Sequence, residues 1–261
     1  MAFDKNITVV KIGGNVIDNE AALARFVEDF AQLPSPKILI HGGGKLATRL
    51  AEKLEVPTTM IEGRRVTDAA TLDIVTMVYA GLLNKRIVAL LQSEGCNALG
   101  LSGADGDVVR AVRRNPEPID FGFVGDIDAS KINTELIRTL LESDITPVFC
   151  AITHDGNGSL LNSNADSVAS AVAVAASRIA PTSLLFCFEK AGVLRNVDDE
   201  SSIIDEIRPD NYASLRAEGA INKGMIPKID NAFAAIDAGV QSVIIKHSDA
   251  LLQESGTTVK R

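Results

Sequence analysis

Ile7-Thr8-Val9-Val10-Lys11-Ile12-Gly13-Gly14 is a short β-branched run that ends in two glycines, and Lys37-Ile38-Leu39-Ile40-His41-Gly42-Gly43-Gly44 repeats the pattern. Runs of this kind read as buried parallel strands, each feeding a helix, and helical stretches follow each, over 20–33 and 46–54. Glycines at the carboxyl end of a strand leave backbone N–H groups uncovered, and the next helix adds the partial positive charge of its N-terminus. Two such turns side by side, with Lys11 beside them, form a socket for a highly charged anion. A phosphate in transfer fits that description best.

Outward from these two units the chain repeats strand, turn and helix. A long amphipathic helix is expected over 71–93, with Ile74, Met77, Val78 and Leu82 near one face. A strand over 97–101 runs into Ser102-Gly103-Ala104-Asp105-Gly106. Residues 108–112 and 121–127 form a hairpin about Asn115-Pro116-Glu117-Pro118, a strong turn signal. Further helices are expected over 131–143, 165–176 and 227–238, and further strands over 145–152, 182–188 and 240–245. The alternation implies an α/β fold, a mainly parallel sheet covered by helices on both faces. A boundary near Ala180-Pro181 divides it into lobes 1–180 and 181–261 that share the sheet.

The chain has 261 residues, 46% hydrophobic and 23% charged, with a net charge of −8. That balance argues against nucleic acid or an anionic membrane as a partner, so an anionic substrate must be held by local groups. The apolar run 168–176 is alanine-rich and broken by Ser170, which reads as a core helix. Met1-Ala2-Phe3-Asp4-Lys5 lacks the long apolar segment of a signal peptide. Cys96, Cys150 and Cys187 lie in apolar surroundings without metal-ligand spacing, as reduced core thiols of a cytoplasmic protein do. His41, His154 and His247 share no metal-ligand spacing either. The P-loop pattern, the dinucleotide Gly-x-Gly-x-x-Gly after a strand and the hydrolase Gly-x-Ser-x-Gly are all absent.

Three loops carry the remaining chemistry. Gly63-Arg64-Arg65-Val66-Thr67-Asp68 sets two guanidinium forks, suited to carboxylate or phosphate, just before a helix. Taken alone, the pair also reads as solvated surface. Leu161-Asn162-Ser163-Asn164-Ala165-Asp166 follows a strand and opens a helix that an asparagine can cap. Capping does not require Asp166. Gly224-Met225-Ile226-Pro227-Lys228 places a lysine in a helix's first turn, where the macrodipole disfavours a cation, and an anionic ligand gives it a reason.

These segments, together with Gly122-Phe123-Val124-Gly125, occur in an order and spacing that resembles the amino-acid kinase family, and within it the acylglutamate kinases of arginine biosynthesis. The resemblance covers nearly the whole chain. It implies a three-layer αβα sandwich that binds MgATP in the C-terminal lobe and an N-acylated glutamate in the N-terminal lobe. It implies direct in-line phosphorylation of the γ-carboxylate of N-acetyl-L-glutamate, with no phosphoenzyme. Carried over position by position, Lys11 and Lys228 flank the moving phosphoryl group and Asp166 orients both lysines. Amides of Gly13, Gly14 and Gly43 hold phosphate oxygens, Arg65 grips the α-carboxylate, Asn162 binds the amino-acid portion, and Gly43 with Gly44 lines that pocket. Glu189, Gly192, Gly224 and Met225 fall on the nucleotide side. Magnesium comes with ATP, and no residue of this chain is assigned to it.

Three features depart from the family pattern. Glu189 in Phe188-Glu189-Lys190-Ala191-Gly192 stands where an aspartate is usual. Arg64 stands where relatives often carry an apolar residue; it is either a surface arginine or a reader of a second carboxylate, which keeps N-succinyl-L-glutamate as an alternative substrate. The chain starts close to its first strand, so a homodimer without arginine feedback is expected. Kinases of the same fold acting on other small acids, a non-catalytic ligand sensor, and more remotely a nicotinamide oxidoreductase remain as other readings. The Arg65 motif disfavours the first, the joint presence of Lys11, Asp166 and Lys228 the second.

Overall fold

A computed structural model describes residues 5–196, 198–221 and 225–261. The first strand β1 (Ile7–Ile12) is followed by the short helix α1 (Gly14–Ile17) and by α2 (Glu20–Gln32), and β2 (Lys37–His41) by α3 (Gly44–Lys53). Strands β3 (Met60–Ile61) and β4 (Arg64–Arg65) form a small hairpin before a long helical stretch made of α4 (Ala69–Thr76), a π-helical segment (Met77–Leu83) and α5 (Asn84–Ser93). Then come β5 (Ala98–Leu101), the hairpin β6 (Ala111–Arg113) and β7 (Gly125–Ile127), α6 (Thr134–Glu142), β8 (Thr146–Cys150), and the hairpin β9 (Ile152–His154) and β10 (Leu160–Asn162). The chain ends with α7 (Ala165–Ala176), β11 (Thr182–Phe188), β12 (Glu206–Ile207), α8 (Pro209–Ala217), α9 (Ile226–Asp237), β13 (Ser242–His247) and β14 (Thr257–Val259).

Eight strands make one sheet in the order β12-β14-β13-β11-β1-β2-β8-β5. Every pairing is parallel except β13 with β14. Side chains alternate across it. Val9, Ile38, Leu184 and Val243 join α6, α7, α8 and α9 in one core, while Val10, Leu39, Val148 and Leu185 join α2, α3, α4 and α5 in the other. The three-layer sandwich is therefore built as the alternating pattern requires. The sheet runs unbroken past residue 180, because β11 pairs with β1 along its length. All three cysteines are buried and free.

Two expectations change. The strand over 145–152 is broken at Ala151: β8 stays in the main sheet, and β9 leaves it to pair with β10. On the long helix, Ile74 and Val78 are buried, but Met77 is 52% exposed and Leu82 47% exposed. For Leu82 the cause is the π-helical winding, whose wider turn inserts one residue into the repeat. The buried row steps from Val78 to Leu83, then to Ile87 and Leu91, so Leu82 rotates outward. By length and composition the stretch 69–93 also meets the criteria for a membrane span; in this fold its inner side packs on α2, α3, β5 and β8.

Candidate active site

The carboxyl ends of β1, β2, β8 and β11 open on one side of the sheet, the usual place for a ligand in an open α/β fold. Lys11 is the second-to-last residue of β1, opposite Phe186 of β11 and Ile40 of β2. It lies on the α7 side, and its Nζ stands 2.7 Å from Asp166 Oδ1 in the first turn of α7. Asn164 caps that turn, its side chain accepting from the Asp166 N–H at 2.8 Å and the Ser167 N–H at 3.2 Å. The carboxylate is left to the lysine.

Lys228, in the first turn of α9, arrives from the other side. Burial pushes its ammonium below the ordinary lysine value; Asp166 and Glu189 oppose that shift, and Lys11 adds to it. The structure thus gathers Lys11, Asp166 and Lys228, far apart in sequence, at one point. Phe188 is the residue that sequence reasoning missed. Its ring centroid lies 3.7 Å from Lys228 Nζ and 5.2 Å from Lys11 Nζ.

Lys11 lines one of two cavities here and Lys228 the other. One, of about 260 Å³, is lined by Lys11, Gly14, Gly43, Gly44, Arg65 and Asn162, together with Arg64 and Arg114. The other, of about 210 Å³, is lined by Phe188, Glu189, Gly192, Met225 and Lys228. Gly224 lies outside the described residues.

In the first cavity Arg65 is buried, and its Nη2 donates to Gly44 O at 2.9 Å and Thr48 Oγ1 at 2.8 Å. Those bonds fix the fork against the start of α3 and leave further donors for a ligand. The Asn162 side-chain amide donates to Thr67 Oγ1 at 3.0 Å. Gly43 has φ +154, and a Cβ there would stand 2.3 Å from Leu83 Cδ1 and 3.0 Å from Tyr79 Cδ1. At this φ any side chain is strained, and its Cβ would also press on the π-helical segment. Beneath the loop lies His41, fully buried and held neutral, its pKa lowered to about 4 by desolvation. Its Nδ1 lies 2.9 Å from Gly42 O, and its Nε2 lies 3.0 Å from Asn84 Nδ2. Neutral imidazole satisfies both contacts when Nδ1 carries the proton and Nε2 accepts.

Two of the expected glycines also carry structural constraints. The Gly13 N–H donates to Cys187 O at 3.0 Å, locking β1 to β11, so that amide is not open to a phosphate. Gly192 has a packing reason for being glycine, since a Cβ would meet Thr257 Oγ1 at 2.7 Å. Glu189 accepts from the Asn15 side chain, and Asn15 in turn accepts from Lys45, so this carboxylate ties the loop after β11 to both glycine turns.

A central parallel sheet whose strand ends carry two glycine turns, buried cations and paired cavities defines an α/β protein built to handle polyanions. The chain belongs to the amino acid kinase family, whose model matches residues 6–247. It is 51% identical over 250 residues to the acetylglutamate kinase of Cytophaga hutchinsonii, covering 95% of this chain and 94% of that one. It is 46% identical over 257 residues to the acetylglutamate kinase of Phocaeicola vulgatus, covering 98% and 99%. The crystal structure of smu.665 from Streptococcus mutans UA159 superposes with a TM-score of 0.79 at 29% identity, covering 97% of this chain and 98% of that one.

Proposed function

We propose that this chain phosphorylates the γ-carboxylate of N-acetyl-L-glutamate with ATP, the acetylglutamate kinase step of arginine biosynthesis. The observation that carries this reading is the meeting of Lys11, Asp166 and Lys228 between a cavity containing Arg65 and Asn162 and a cavity containing Glu189 and Met225. The acylglutamate occupies the first, within lobe 1–180, and the nucleotide the second, within lobe 181–261. Arg65 pairs with the α-carboxylate, and Asn162, its amide nitrogen already engaged by Thr67, offers its oxygen to the substrate's amide N–H.

A carboxylate is already nucleophilic, so no general base is required. The work left to the protein is alignment and charge stabilisation. Lys11 and Lys228 neutralise charge on the transferring oxygens from opposite sides, and Asp166 holds Lys11 in place. Amides of Gly14, Gly43 and Gly44 at the starts of α1 and α3 face the phosphates.

Magnesium takes one or two carboxylates plus phosphate oxygens and keeps several waters. Asp166 and Glu189 are the carboxylates close enough to influence Lys228, and among the described residues no cluster of three His, Cys, Asp or Glu forms a metal cage. That donor set fits an ion carried in on the nucleotide, where it would neutralise phosphate charge. The exposed Met77 and Leu82 support a homodimer, and three buried free thiols support a reducing, cytoplasmic setting.

The test is an ATP-dependent hydroxamate assay, in which hydroxylamine traps the acyl phosphate, run with N-acetyl- and N-succinyl-L-glutamate at matched concentration. Preference for acetyl is expected. Preference for succinyl would assign Arg64, which lines the first cavity, to a second carboxylate. No product from either, in a folded protein that binds ATP, would overturn the reading.

A further inference from the structure

Phe188 ends β11 on the sheet face that also carries Lys11, since Lys11 is in register with Phe186 and Phe188 lies two residues on. The two phenylalanine rings stack with centroids 6.1 Å apart and planes 1° from parallel, so the buried Phe186 fixes the tilt of Phe188. The ring also lines the second cavity, beside Lys228. Both lysines identified above as the phosphoryl-flanking pair therefore have their ammonium groups near one aromatic ring, at 3.7 Å and 5.2 Å from its centroid.

We propose that Phe188 is a positioning residue: its π system holds the Lys228 ammonium, and more weakly that of Lys11, in the charged form and at the spacing that phosphoryl transfer uses. This rests on the kinase reading given above. The physical need is plain. Lys228 stands at a helix N-terminus, where the macrodipole opposes a cation, and it is partly desolvated there. The groups acting on it from neighbouring elements are Lys11 on β1, which repels it, and Asp166 on α7 and Glu189 after β11, which attract it; Lys190 lines the same cavity. Asp166 is already engaged by Lys11. An aromatic face attracts an ammonium without adding a negative charge that would repel the incoming triphosphate. A carboxylate in the same place would hold the lysine and oppose the nucleotide.

The experiment replaces Phe188 with ring-fluorinated phenylalanines, which keep size and shape while draining the ring's negative face, beside Phe188→Tyr and Phe188→Leu. Two readouts are taken: the Nζ titration of Lys228 by 15N NMR in nucleotide-free protein, assigned with Lys228→Arg, and kcat against KM for ATP. With increasing fluorination the Lys228 titration moves to lower pH. Over the same series kcat falls stepwise, about tenfold in total, with its alkaline limb moving the same way, while KM for the acylglutamate is unchanged. Tyrosine retains activity and leucine does not. A titration and a kcat that stay flat across the fluorinated series would overturn the proposal, as would full activity in a folded Phe188→Leu. If the wild-type chain makes no acyl phosphate, the kinase reading fails by itself, and the titration series still decides whether the ring holds the lysine.

Discussion

Lys11 and Asp166 meet at 2.7 Å, the one on the first strand of the sheet and the other on the helix that precedes β11. The contact joins β1 to α7, the helix that packs on both β1 and β11. Lys11 is 11% exposed at its side chain and Asp166 27%, so the pair is shielded without being sealed.

On the proposed mechanism, Lys11→Ala removes one of the two cations that stabilise charge on the transferring group. By comparison with single electrostatic donors elsewhere, the loss is about 2–4 kcal/mol of barrier, roughly a hundredfold or more in kcat. KM for N-acetyl-L-glutamate stays within about threefold, since Lys11 acts on the transition state more than on substrate binding. Steady-state hydroxamate kinetics check both numbers, and an unchanged kcat would remove Lys11 from the mechanism.

Arg65→Lys keeps the charge and loses the fork. Bonds to Gly44 O and Thr48 Oγ1 position the guanidinium, and a lysine cannot reproduce them together with a bidentate hold on a carboxylate. KM for the acylglutamate is expected to rise about tenfold or more, with KM for ATP little changed.

Gly43→Ala tests the pressure of the π-helical segment on the loop. The added Cβ would overlap Leu83 and sit against Tyr79 at a φ of +154. A cost of about 1–3 kcal/mol in unfolding free energy is expected, with loss of activity. Gly14→Ala is the contrast: its Cβ would meet nothing within 4 Å. That variant should unfold as the wild type does and lose rate only if the α1 amide faces a phosphate. Urea unfolding alongside activity separates the two.

Buried, neutral His41 makes stability pH-dependent. Its folded pKa lies near 4 against 6.5 for the free side chain. Stability from this group is full above pH 6.5 and is lost as the pH falls toward 4, because the unfolded chain then binds a proton that the folded chain refuses. The whole shift corresponds to about 3 kcal/mol. Urea titrations of wild type and His41→Asn at pH 7 and pH 4.5 should show a gap in stability that narrows toward acid. A constant gap would show that His41 is protonated in the folded state.

Met77→Asp with Leu82→Asp places two charges on the exposed side of the long helix. Light scattering after size exclusion should give a dimer for the wild type and a monomer for the double variant. A wild-type monomer would contradict the homodimer.

The strands and glycine turns were legible because each is a local pattern: β-branched runs closed by glycine fix element type and direction together. Arg65, Asn162, Asp166 and Lys228 stood out by the order and spacing of their motifs; Arg65 and Asn162 line the first cavity, Lys228 the second, and Asp166 pairs with Lys11. The π-helical winding was not legible. Gly81 is the one residue in Met77–Leu83 that disfavours a helix, but a single glycine does not specify a π turn, and the extra residue shows in which side chains are buried. Phe188 was missed for a related reason, since a phenylalanine ending an apolar strand reads as core, and its two lysines arrive through tertiary packing. The commitment of the Gly13 amide to Cys187 O depends on the β1–β11 register, which sequence does not give. The pairing of His41 with Asn84 depends on the same shift in helical winding. The start of α8 is legible in Pro209 and Asn211, the Asn211 side chain accepting from the Arg208 N–H at 2.8 Å.

The central claim is that the γ-carboxylate of N-acetyl-L-glutamate attacks the terminal phosphorus of ATP directly between Lys11 and Lys228. The most direct measurement supplies the substrate with 18O in that carboxylate and follows the product by 31P NMR before hydrolysis. The account predicts an acyl phosphate resonance displaced by one bridging 18O. An acyl phosphate without that displacement, or ADP and free phosphate with no acyl phosphate, would contradict it.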